Sequence, residues 1–332
     1  VGSTTTFIPS SGGVWVSSNP AVASISNNGT VTGVSQGTAS FTFEVGGTNC
    51  ISLPSDPITV HPLPEIEILG NEILCMGENS LLSPNAGGSW TSSNAGIASI
   101  SPTGVVSTIS AGKASFTFTQ TSTGCRSLPS DSLTVYAKPI ITITGDSLLC
   151  VGEISGMYTN EPGVWTSNNP LAASISETGV VTALEQGQTS FVLTSTISGC
   201  PSNPSRPFLV NPLPVVVLSG ADQICIGSTT QLFPISGGTW TSSDSLIAEV
   251  TNAGVVTGVN IGIAEFMFRD EVSGCTASLD APVTIYDKPA INISGPTTIC
   301  AGDTTYLLPA VGGYWQSTQP EIATVTNDGL VI

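Results

Sequence analysis

The chain has 332 residues and a net charge of −17, from 23 acidic against 6 basic side chains, a balance that excludes nucleic acid and anionic membrane surfaces as partners. No apolar run is long enough to cross a bilayer, so no membrane insertion is expected of this segment. The 36 glycines and 23 prolines, set among Ser, Thr, Val and Ile, speak for short strands and tight turns rather than helices.

A chain of this length ordinarily forms two domains, but an internal repeat overrides that expectation. Trp15, Trp90, Trp165, Trp240 and Trp315 are all the tryptophans present, and they are evenly spaced along the chain. Each opens the same passage: glycines, the Trp, small hydroxyl residues, then apolar strands ending in Gly. Units beginning at Pro64, Pro139, Pro214 and Pro289 give three complete repeats, 64–138, 139–213 and 214–288. They are flanked by 1–63, which lacks its first strand, and by the partial 289–332. The chain is therefore expected to be a window on a longer array, with its export signal and anchor elsewhere.

In the repeat 64–138, Glu65-Ile66-Glu67-Ile68-Leu69 alternates as a first strand. Ile73-Leu74-Cys75-Met76-Gly77 is a short second segment. Ser80-Leu81-Leu82-Ser83 follows and stops at the loop Pro84-Asn85-Ala86-Gly87-Gly88. Ser89-Trp90-Thr91 points Trp90 to one face. Ile97–Ser101 and Val105–Ile109 flank a turn at Pro102-Thr103-Gly104. Ala114–Thr119 alternates cleanly, Ser122–Cys125 turns the chain, and Ser132–Tyr136 closes the unit. Seven or eight short strands at this spacing predict an all-β sandwich in every repeat. Gly29, Gly104, Gly179, Gly254 and Gly329 keep register, as do Gly37, Gly112, Gly187 and Gly262; both sets are expected at positive φ. Proline-bearing linkers such as His61-Pro62-Leu63-Pro64 and Ala137-Lys138-Pro139 predict stiff junctions and an extended rod. Pro-Leu-Pro and Tyr-x-Lys-Pro junctions alternate, so a super-period of two units overlies the repeat.

The eight cysteines obey the same lattice. Cys75, Cys150, Cys225 and Cys300 stand in Cys-x-Gly; Cys50, Cys125, Cys200 and Cys275 stand in the turn before the last strand. Two per small β-unit predict one disulfide per unit and an oxidising, extracellular setting. Pairing within the unit is the simplest expectation: Cys75–Cys125, Cys150–Cys200 and Cys225–Cys275, with Cys50 and Cys300 bonded to partners outside the window. In a simple sandwich the two turns lie at opposite ends, which favours a bond between units such as Cys75–Cys200. A parallel pairing of the Cys75 segment with the last strand would remove that objection, and the within-unit pairing is retained.

Catalysis finds no support. His61 is the only histidine and sits between linker residues, so no Ser-His-Asp or Cys-His site can recur. The carboxylates do not keep register, no calcium-loop pattern is present, and no cofactor or metal site is expected. The tryptophans could stack sugars, but a Trp held between strands of a small sandwich is expected in the core.

Trp90-Thr91-Ser92-Ser93-Asn94, Ile97-Ala98-Ser99-Ile100-Ser101, Gly104-Val105-Val106 and Gly112-Lys113-Ala114-Ser115-Phe116 resemble the bacterial immunoglobulin-like (Ig-like) domain, group 2. The Cys-x-Gly and Gly-Cys elements are similar to variants in giant repetitive surface proteins of gliding bacteria exported by the type IX route. The resemblance implies tandem Ig-like sandwiches serving as stalks, spacers or adhesive arms, with no catalytic residues to carry over. Phe116 and Phe118 depart from its small β-branched residues and thicken the core.

Only 9% of residues are charged, against a usual value of about 25%, and mean hydropathy is +0.31. Either a Ser/Thr/Asn surface stays soluble through net charge, or part of it is covered, most simply by lateral contact with copies of the same chain. The constant period disfavours variable binding loops. The expected function is a structural, homo-oligomeric segment of a long cell-surface filament or stalk. The alternative is an adhesin arm that binds surface glycans or proteins through exposed loops.

Overall fold

The structure is a computed structural model describing residues 1–332. It contains 38 strands and no helix. The second repeat shows the plan. One sheet has the order Ala98–Ile100, Val105–Thr108, Asn79–Ser83, Glu67–Ile68, all antiparallel. Facing it, Gly88–Ser92 pairs with Phe116–Gln120, while Gly112–Ala114 pairs with the closing strand Leu133–Tyr136. The closing strand also takes the cysteine strand Ile73–Cys75 on its other edge, in parallel.

The leading segment therefore serves both sheets. Its first half pairs with Asn79–Ser83, and its second half crosses to the closing strand. This division shortens the expected strand at Glu65–Leu69 to Glu67–Ile68. The same split and the same parallel pair recur at Leu148–Cys150 with Phe208–Asn211 and at Gln223–Cys225 with Val283–Tyr286.

Each repeat closes its own core. In the second, Leu74, Leu82, Ala98, Val106, Ala114, Phe116 and Leu133 form one buried cluster, with Ile66, Ile68 and Trp90 packed against it. Separate clusters centre on Val31 and Phe41, on Phe191 and Phe208, and on Phe266 and Phe268. Strand alternation explains the sorting: Leu82 is buried, whereas its neighbour Leu81 faces solvent.

Between Cys125 and the closing strand the chain runs beside Phe116–Gln120 without a regular ladder. Hydroxyls substitute for it. Phe116 N donates to Ser130 Oγ at 3.0 Å and Phe118 N to Ser127 Oγ at 2.9 Å. Ser127 N and Ser130 N donate back to the carbonyls of Phe118 and Phe116. Proline lies between the serines (Ser127-Leu128-Pro129-Ser130) and has no N–H to give. Ser52-Leu53-Pro54-Ser55 and Ser202-Asn203-Pro204-Ser205 make the same contacts. The fourth repeat lacks this motif, and there Thr276–Ser278 forms an ordinary strand on Phe266–Asp270.

The first set of turn glycines is left-handed throughout, with φ from 75° to 85°. A Cβ on Gly104 would also lie 2.1 Å from the Leu82 carbonyl oxygen. Gly104→Ala should therefore destabilise its repeat by about 1–3 kcal/mol, read as a lower melting transition, whereas Ala at exposed Ser107 should change it little. The second set meets the expectation at three of its four positions. Gly37, Gly112 and Gly262 have φ of 146–153°, but Gly187 does not join them. What the four share is a close side chain: a Cβ would meet Val22, Ile97, Ala172 or Ile247 at 2.5–3.1 Å.

Candidate functional site: the junctions between repeats

The tryptophans do not form an external platform. Trp240 is buried, and Trp15, Trp90, Trp165 and Trp315 are half-buried at the sandwich margin. Trp90 packs against Phe118 with ring centroids 5.1 Å apart, and Trp240 against Phe268 at the same distance. The indole N–H of Trp90 donates to the Pro84 carbonyl at 3.1 Å; Trp15, Trp240 and Trp315 do the same to Pro9, Pro234 and Pro309. In the third repeat Thr159 replaces that proline and Trp165 makes no such bond. A Cβ on Gly88 would sit 2.4 Å from the Phe118 ring, so the glycine before the Trp strand leaves room for the aromatic pair.

The cysteines lie at the ends of the sandwiches, and their pairing corrects the sequence expectation. Cys75 bonds Cys200, and Cys150 bonds Cys275, each across 125 residues with Cα atoms 5.6 Å apart. The within-unit pairs Cys75–Cys125, Cys150–Cys200 and Cys225–Cys275 do not form. The parallel pairing that would have permitted them is present, but it carries Cys75 to the trailing end of its repeat, opposite Tyr136. Cys125 lies at the leading end. From it residues 126–136 run extended toward the trailing end, which at about 3.3 Å per residue separates the two by roughly 35 Å. A disulfide needs Cα atoms within about 7 Å. The trailing end of one repeat meets the leading end of the next, and there the bonds form. Cys50, Cys125, Cys225 and Cys300 are free thiols.

Local contacts hold each cysteine in place. Glu78 Oε2 accepts the Cys75 N–H at 2.8 Å, and Glu153 does the same for Cys150. Thr108 Oγ1 donates to the Cys75 carbonyl at 3.0 Å. The strand is further anchored by Met76 N donating to the Tyr136 carbonyl at 2.9 Å. A carboxylate three residues after the cysteine is legible in the sequence as Cys-x-Gly-Glu, but its role is visible only once the turn is folded.

At the opposite end, the turn carrying Cys275 is organised by Asp270. Its carboxylate accepts the Ser273 N–H at 2.7 Å, the Ser273 hydroxyl at 2.8 Å and the Val272 N–H at 3.1 Å. The Ser273 bonds, backbone then side chain, outweigh the opposing desolvation and, with a lesser contribution from the Val272 bond, hold its pKa below the ordinary aspartate value. A depressed folded pKa stabilises the turn above the unfolded value, and that contribution is lost as pH falls through the folded one. The Ser273 amide resonance should titrate below the usual aspartate range, and Asp270→Asn should abolish the transition in the same NMR titration.

No three His, Cys, Asp or Glu side chains converge. His61 is exposed, and its carbonyl accepts the Val1 amine at 3.1 Å. One shallow groove recurs: Leu63, Pro64, Glu65 and Ile66 face Leu128, Pro129, Ser130 and Asp131, and the equivalent residues of the third repeat line its counterpart. No helix long and apolar enough to cross a membrane is present.

A family model, the bacterial Ig-like domain (group 2), matches residues 3–49. No curated protein matches the chain. Among solved structures, invasin, a bacterial integrin-binding protein, is similar at 15% identity over 87% of this chain and 76% of its own, with a TM-score of 0.33. A C-terminal fragment of intimin, solved with the intimin-binding domain of its translocated receptor, is similar at 14% identity over 48% of this chain and 67% of its own, with a TM-score of 0.32. Domains 1–6 of the surface layer protein SbsC align at 13% identity over 93% of this chain and 51% of their own, with a TM-score of 0.20. With residues 3–49 matched to that family and one strand plan shared by the three complete repeats, the chain is a tandem array of Ig-like β-sandwiches.

Proposed function

We propose that this chain is a non-enzymatic structural segment of a long extracellular filament or stalk on a cell surface, its units bounded at Pro64, Pro139, Pro214 and Pro289. The observation that carries this reading is the placement of the disulfides. Cys75–Cys200 and Cys150–Cys275 tie one repeat to the next and leave each core to hold itself. A binding module needs no such ties, whereas a load-bearing array does. Disulfides of this kind persist in oxidising compartments, which supports an extracellular location.

Lateral association of copies belongs to the same proposal. Val14, Val16 and Val164 point outward from the tryptophan strands, and Leu171, Leu246, Ile197 and Val272 stand on exposed turns. With so few charges among them, these surfaces suit packing against copies of the chain. Sedimentation over a range of concentrations should show self-association of the oxidised chain. A monomer at the highest concentration would remove lateral assembly from the proposal. The recurring groove beside Leu128–Asp131 favours the adhesin reading, and saturable glycan binding to this segment alone would establish it instead.

A further inference from the structure

Each sandwich ends on one side with its tryptophan strand. Gly13–Ser17, Gly88–Ser92, Gly163–Ser167 and Gly238–Ser242 pair with Phe41–Val45, Phe116–Gln120, Phe191–Ser195 and Phe266–Asp270. The opposite edge of the tryptophan strand carries no strand in any of the four. The bonds that flank the ladder fix which groups face that edge. Thr121 N donates to the Gly87 carbonyl at 2.9 Å, and Ser93 N to the Ser115 carbonyl at 2.8 Å. Antiparallel bonding alternates, so Ser89 and Thr91 bond inward along the sheet, while the N–H and C=O of Gly88, Trp90 and Ser92 turn to the open edge. The same flanking bonds recur in the other three: Gly46 N to Gly12 and Ser18 N to Ser40, Thr196 N to Pro162 and Asn168 N to Ser190, Glu271 N to Gly237 and Ser243 N to Glu265.

An open edge invites pairing, and folded proteins blunt theirs with charge, proline, bulges or short length. The other outer strands of the second repeat are short, three residues at Ala98–Ile100 and two at Glu67–Ile68. The tryptophan strands have no such protection. Each is five residues long, and none contains a proline or a charged residue. All 23 acidic side chains of the chain lie outside them. A chain of net charge −17 repels its own copies, and this is a surface where that repulsion is least.

We propose that the open edge of the tryptophan strand is the seam along which two copies of this chain join, strand to strand and antiparallel, about a two-fold axis at the tryptophan. This deepens the lateral assembly proposed above and rests on it. In that register the N–H of each tryptophan donates to the tryptophan carbonyl of the other copy. The glycine that opens one strand faces the serine that closes the other, and the two exposed positions of each strand meet. Both sides present the same groups, as a two-fold interface requires. The occupant must repeat along the chain as regularly as these edges do, and a second copy has that spacing. One such pair, about 17 Å long and about 10 Å deep, hides roughly 350 Å² over both partners. Four together reach about 1,400 Å², within the range of stable interfaces, so the seam belongs to the array and not to one repeat.

The test follows amide exchange of the oxidised full chain, residue by residue, below and above the concentration at which sedimentation shows association. Exchange at Gly88, Trp90 and Ser92 should slow about tenfold on association, from main-chain bonds gained at an open edge, while Ser89 and Thr91, already bonded, should change little. A second chain carries Val16→Glu, Thr91→Glu, Thr166→Glu and Thr241→Glu, all at exposed positions that face no core. Its melting should match the parent, and its association should weaken at least about tenfold, because like charges then lie diagonally across the seam. A chain that associates without protecting Trp90, or a Glu variant that associates as tightly as the parent, would overturn the seam and leave lateral assembly standing. A parent chain that stays monomeric would overturn both and leave the edge to a foreign strand.

Discussion

Stretched between its ends, the oxidised chain should reach a limiting length about 500 Å shorter than the reduced chain, at roughly 3.5 Å for each residue shielded from load. The two bonds overlap: Cys75 joins Cys200, and Cys150 joins Cys275. Without them, the path from Cys75 to Cys275 follows the whole of the intervening backbone. With them, the shortest covalent route crosses one bond, runs back along the segment 150–200, and crosses the other. Only that segment then extends, and the remainder of the stretch carries no load at full extension. Single-molecule stretching with and without reductant reads the difference directly. The within-unit pairs that the sequence favoured would hide a similar length, but in three separate loops. Cys125→Ser distinguishes the two arrangements. Here Cys125 is a free thiol, and its loss should leave the limiting length unchanged. Were Cys125 bonded to Cys75, the same substitution would release a loop worth roughly 175 Å of extended chain. Equal limiting lengths for oxidised and reduced chains would refute the bonding pattern.

Phe116→Ala should be the most damaging single substitution in the second repeat. The side chain is fully buried in the cluster that holds Leu74, Leu82, Val106 and Leu133. Loss of a buried phenylalanine costs about 3–5 kcal/mol. A unit of this size has only about 4–11 kcal/mol in all, from a typical yield of roughly 0.05–0.15 kcal/mol per residue. The repeat should therefore melt in a separate transition more than about 10 °C below the others. Calorimetry reads the transition, and amide exchange identifies residues 64–138 as its origin. Phe233→Ala, at a side chain 41% exposed in the fourth repeat, serves as the control and should cost far less. Because Cys75 and Cys200 remain joined, the weakened repeat should refold on cooling.

The repeat, the sandwich and the alternation that buries Leu82 and Phe116 were legible in the sequence because they are local and recur. The disulfide map was not. Spacing alone cannot tell which end of a sandwich a turn occupies, and the decision rested on two long-range facts: the parallel placement of Ile73–Cys75 and the extended run from Cys125 to Tyr136. The objection that the two turns lie at opposite ends was the physically correct one. Two further signals are present in the sequence without declaring their meaning. Proline six residues before tryptophan recurs in four repeats and marks the acceptor for the indole N–H. Ser-x-Pro-Ser recurs in three and marks where hydroxyls replace a strand ladder. In both, the partners are brought together by the folded loop or by a neighbouring strand, so only the fold gives the pattern its meaning.

The overlap of the two disulfides also changes what a protease can achieve. A single cut anywhere between Cys75 and Cys275 leaves at least one bond spanning it, since the first covers 75–200 and the second 150–275. Each exposed turn along that stretch can be nicked once without the two halves parting. In the filament proposed above, a broken peptide bond there would be a local wound and not a severed thread.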